Sequence, residues 1–163
     1  MKSSLSTKLL GLGVGFLLVA LLSIGLTLWV TWKLEGGAAA VNEAGRLRMH
    51  MLRMVVAQQT ESPENLRVLA NNFDASLELL RTGDPARPLY VPWSADTQAR
   101  FDAIRLAWGE LRQDLGRDAV PAGAAAVGRA DGFVQLVDGF VEAIEVQIAR
   151  WTAALHLFQL GMM

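Results

Sequence analysis

Arg48 is the residue in this chain whose type and place most directly call for a second, oppositely charged group. Projecting Ala38–Gln59 as a helix at 100° per residue puts Ala40, Val41, Ala44, Leu47, Met51, Leu52, Met54 and Val55 on one broad apolar face. Glu43, Arg46, His50 and Arg53 fall together on the opposite side, where a solvated polar face is expected, with Glu43 and Arg46 as an i, i+3 pair. Arg48 breaks this division. It lies on the flank of the apolar face, in a column with Val41, Gly45, Leu52 and Val55. A guanidinium stays charged, so burying it requires a partner anion. Glu43, the one acidic residue between Ala38 and Gln59, points elsewhere. If two copies pack along this face, two Arg48 side chains meet at the two-fold axis. A small planar oxyanion between them relieves the repulsion through bidentate, charge-assisted hydrogen bonds. Gly45, one turn earlier, and Leu52, one turn later, would line that site. The competing reading is an arginine that snorkels to water along its own methylenes.

Other chemistry finds little support. The 163 residues contain no cysteine, which excludes disulfides, thiolate metal sites and a cysteine nucleophile. His50 and His156 are the only histidines, and they are too far apart in the chain to suggest a metal site. Gly11, Gly13 and Gly15 superficially suggest a phosphate loop but lie inside an apolar run with no preceding strand. Gly11 and Gly15 do make a small-xxx-small pair that allows two membrane helices to approach closely. Glu110 with Arg112, and Asp114 with Arg117, read as surface pairs. No catalytic module is evident. The net charge of −1 gives no field to recruit nucleic acid.

The elements that must position Arg48 read as all-α. Leu9–Trp32 is an uncharged apolar run long enough to span a hydrocarbon core of about 30 Å. Lys2 and Lys8 precede it, and Trp29 and Trp32 sit at its far end, where indole rings prefer the interface. The run exceeds a signal-peptide core of about 7–15 residues, although Ala38-Ala39-Ala40 resembles a cleavage site. The expected organisation is a cytoplasmic N-terminus over 1–8, a transmembrane helix over 9–32 and an extracytoplasmic domain over 33–151. Thr152–Met163 is uncharged and apolar, and reads as the truncated start of a second transmembrane helix. Within the domain, helices are predicted from about Ala38 to Gln59, from Pro63 to about Arg81, from Ser94 to about Arg117, and from near Ala124 onward. Ser62 and Ser94 stand as caps, and Pro63 occupies a first helical position. Gly83–Pro92, with three prolines, is a loop. One apolar stripe per helix predicts an up-down-up-down antiparallel four-helix bundle.

The segment Gly36–Met49, followed by Arg53, resembles the periplasmic box of nitrate/nitrite sensor histidine kinases of the NarX/NarQ type. Its core Asn42-x-Ala44-Gly45-x-x-Arg48-Met49 is shared with type IV pilus chemotaxis transducers. The loop Gly83–Leu89 also resembles that family's loop between its second and third helices. The resemblance implies a homodimeric sensor in the periplasm of a bacterial inner-membrane protein. It implies one nitrate or nitrite held by Arg48 from both subunits, a signalling role for Arg53, and helix displacement across the membrane. Asn42 belongs to the same box, and Glu43 replaces a lysine found there in some members. A kinase binding ATP and a partner response regulator would belong to cytoplasmic parts outside these residues; the region itself implies no cofactor and no metal. The leading expectation is therefore the nitrate-responsive sensor module of a two-component histidine kinase. The alternatives are the same fold on a chemotaxis transducer or nucleotide cyclase reading another anion, or a non-sensory membrane-tethered helical scaffold.

Overall fold

The computed structural model describes residues 5–60, 63–84, 86–116 and 124–161. They form four helices: α1 (Leu5–Thr60), α2 (Pro63–Thr82), α3 (Ala95–Gly116) and α4 (Ala124–Gly161). Among the described residues there is no strand beyond an isolated bridge between Asp84 and Leu89. The expected Ser62 cap, Arg117 and the Asp118–Gly123 turn lie outside the described residues.

α1 corrects one expectation. The apolar run and the first amphipathic segment are a single helix of 56 residues, about 84 Å long at 1.5 Å per residue. Gly36 and Gly37 pass through it without a break, because each glycine is where something else must come close. A Cβ on Gly36 would lie 2.9 Å from Tyr90 Cβ and 3.3 Å from Pro88 O. One on Gly37 would lie 2.5 Å from Ile148 Cδ1. The backbone N–H of Tyr90 donates to Gly36 O at 3.1 Å. By length and composition α1 is able to cross a membrane.

The ends of the shorter helices follow local chemistry. Ser94 and Thr97 cap α3 reciprocally: Thr97 N–H donates to Ser94 Oγ at 3.2 Å, and Ser94 N–H to Thr97 Oγ1 at 2.6 Å. Gly83 ends α2 with φ +79°, and its N–H reaches Leu79 O at 2.9 Å, an αL cap that a side chain would strain. Asp84 then turns the loop by accepting from Ala86 N–H at 2.9 Å and Arg87 Nε at 2.8 Å. These bonds, the backbone one first, hold its carboxyl below the usual range.

The apolar face read on α1, apart from Leu52, packs into or against the core. Ala40, Ala44, Leu47, Met51 and Met54 of α1 meet Phe73 and Leu80 of α2, Phe101, Ile104 and Trp108 of α3, and Phe133, Val137, Phe140 and Ile144 of α4. Phe73 stacks on Trp108 at 4.0 Å, and Trp108 Nε1 donates to Asp74 at 2.6 Å, so the buried indole leaves no unpaired N–H. α1 packs against α2 and α4, and α3 against α4. Gly37 meets Ile148, whereas Met54 and Val55 line one cavity with Arg129 and Ala130, so α4 runs antiparallel to α1. Ion pairs also link the helices: Arg112 reaches Asp74 of α2 at 3.3 Å, and Asp114 meets Arg129 of α4 at 2.7 Å.

Candidate functional site

α1 presents two charged flanks to the rest of the chain. Arg48 lies on the flank facing α4, as its place beside the apolar stripe required. Its side chain is 40% exposed, and Nη1 donates to Asp138 Oδ1 of α4 at 2.5 Å. The acidic partner missing from its own helix therefore comes from a residue 90 positions away. Arg48 Nη2 lies 3.5 Å from where a Gly45 Cβ would stand, so the guanidinium folds back over Gly45, toward the helix N-terminus.

Beside Arg48 runs an open stripe. Ala38, Asn42, Met49 and Leu52 are exposed and Gly45 is half-buried; their 4-3-4-3 spacing is that of a coiled-coil seam. Met49 and Leu52 are large apolar side chains about half exposed. With Arg53 and Leu69 of α2 they line a shallow open groove. Leu52 thus belongs to this outer stripe and not to the core face where the sequence placed it.

The opposite flank differs from its expected solvated character. Arg46 and Arg53 are exposed, but Glu43 is 1% exposed and His50 is 8% exposed. This flank turns toward α2 and the α2–α3 loop, which cover it. Glu43 Oε2 accepts from Arg46 Nη1 at 3.1 Å and from Arg87 Nη2 of the loop at 3.0 Å. Arg87 in turn holds Asp84, so a loop arginine and a buried carboxylate clasp the loop to α1. Glu43 Oε1 and His50 Nδ1 are buried with no hydrogen-bond partner among the described residues. Burial, then the nearby Arg46 and Arg53 charges, push the His50 pKa below 6.5, against the attraction of Glu43.

Near Gly36 the loop also reaches the aromatic end of the apolar segment. Lys33 Nζ sits 3.5 Å from the centre of the Tyr90 ring and 5.3 Å from that of Trp32. Tyr90 stacks on Trp151 of α4 at 6.2 Å. Asp138 and Arg87 are the two residues the sequence reading missed. Asp138 sits next to Val137 in the α4 stripe, but only the register of α4 against α1 brings it to Arg48.

Residues 29–131 match the N-terminal domain of type IV pili methyl-accepting chemotaxis transducers. The chain belongs to this family. The match runs from the end of the apolar segment through α2 and α3 into the start of α4, and includes the whole Asn42–Met49 box. It makes the chain a sensor module of a membrane signalling receptor. It lies on the transducer side of the sequence resemblance and lends no support to the nitrate-sensor kinases in particular. A comparison with curated proteins gives no match.

Proposed function

We propose that this transducer domain senses a small oxyanion, bound on the two-fold axis of a homodimer between Arg48 and its symmetry mate. The observation that carries the reading is Arg48 itself, half-exposed at the edge of the open Ala38–Leu52 seam. A second copy packed on that seam covers Met49 and Leu52 and brings the two guanidinium forks together across the axis. Planar forks suit planar oxyanions, and nitrate and nitrite are the first candidates. Gly45 and Leu52 flank the anion, while Asn42, Glu43 and Arg53 lie on the same helix and tune how it packs.

In this reading the four helices form an antiparallel bundle outside the cytoplasmic membrane. The apolar part of α1 and the exposed end of α4, with Leu157 and Leu160 open, enter the membrane together. Ligand selects one packing of the paired α1 helices to the extent that it binds the two packings unequally. The family match favours a chemotaxis-type output over the histidine kinase that the box also resembles.

Calorimetric titration of nitrate into the purified dimer tests the site. Arg48→Lys is expected to abolish the binding heat, because a point charge cannot reproduce the fork. Unchanged affinity in that variant would remove Arg48 from the site, and no binding of nitrate, nitrite or sulfate to the wild-type dimer would remove the anion.

A further inference from the structure

The contact between Arg48 and Asp138 occupies the group that an anion would need. Neither side chain contributes to the core: they are 40% and 51% exposed. Arg48 has five N–H donors in one plane. Nη1 is engaged by Asp138, and the fork is turned back over Gly45.

We infer that Asp138 is an internal competitor for the anion, a carboxylate of the same chain that holds Arg48 until the ligand displaces it. The inference rests on the anion-site reading above and adds a residue that reading does not contain. The chemistry is matched: a carboxylate is a planar monoanion presenting oxygens to the fork, as nitrate is. With Asp138 in place the paired arginines are already neutralised, so the ligand is not required to relieve their repulsion. It must instead do better than Asp138, which sets a threshold on the anions that bind.

The exchange also has a mechanical side. Asp138 is on α4 and Arg48 on α1, so their ion pair ties together the two helices whose apolar ends lie at the same end of the molecule. Taking Arg48 away from Asp138 unties them at mid-height, while the contacts of Gly37 with Ile148 and of Tyr90 with Trp151 remain below.

A residue that merely aims Arg48 would lower affinity when lost, whereas a competitor raises it. The test titrates sodium nitrate, then nitrite and sulfate, into the whole chain in detergent as a dimer. It compares wild type, Asp138→Asn, and Asp138→Asn combined with Arg48→Lys. Asp138→Asn keeps the side-chain volume and removes the charge, and is expected to bind nitrate roughly two- to fivefold more tightly. The double variant is expected to bind none. Equal or weaker affinity in Asp138→Asn, with wild-type binding intact, overturns the competitor role and leaves the anion site standing. Absence of binding to both folded proteins, with folding verified by thermal melting, overturns the two together.

Discussion

The two flanks of α1 carry similar residues and treat them in opposite ways. On the α2 side a carboxylate is fully buried, and two arginines converge on one of its oxygens. On the α4 side a half-exposed arginine meets a half-exposed carboxylate through one nitrogen. The first arrangement fixes a loop, and its members cannot be released without leaving a buried charge unpaired. The second loses little when opened, because water is already at hand. The closed side keeps its frame; in the proposed function the open side is where a ligand competes.

Perturbing each flank should separate them, and the largest effect is expected on the closed side. Gly36→Val drives a side chain into Tyr90 and the Pro88 carbonyl, and should cost about 2–3 kcal/mol in a thermal melt while displacing the loop that carries Arg87. Glu43→Ala removes both hydrogen bonds of the clasp and leaves a void; a loss of about 2 kcal/mol is expected from denaturant titration. A stability equal to wild type would show that the closed flank is not closed.

The third effect is a pH dependence. The folded-state pKa of His50 lies below its unfolded value of 6.5, so the unfolded chain takes up the proton first. The contribution of neutral, buried His50 is complete above pH 6.5 and declines as pH falls through 6.5 toward the folded value. His50→Leu should flatten the fall of the melting temperature below pH 6.5; a slope as steep as wild type would assign the dependence to other groups. The smallest effect is expected on the open side. Asp138→Ala should change stability by no more than about 1 kcal/mol in the same melts. A loss as large as that of Glu43→Ala would abolish the distinction between the flanks.

Much of the fold was legible because burial imposes period. The starts read at Pro63, Ser94 and near Ala124 match α2, α3 and α4, and Phe73, Trp108, Val137 and Phe140 on their apolar faces are core residues. The continuity of α1 was not legible. The apolar span and the helix from Ala38 read as separate elements, and only Tyr90 and Ile148, distant in sequence, explain why Gly36 and Gly37 stand inside one helix. Arg48 was found because its own helix places it at the edge of an apolar face. Asp138 was not, since a helical projection knows nothing of a neighbouring helix's register. The burial of Glu43 and His50 was missed for the same reason: a loop covers the face that α1 alone would leave wet.

The unbroken α1 has a consequence for how far a local event can be felt. Leu10 and Arg48 lie on one rod, about 57 Å apart at 1.5 Å per residue. Without a joint between them, the rod has nowhere to absorb a push by bending. In the proposed dimer, a change in how two such rods lean on each other at Arg48 would reappear at their far tips as altered spacing, tilt or height, in the manner of a pair of tongs gripped at mid-length.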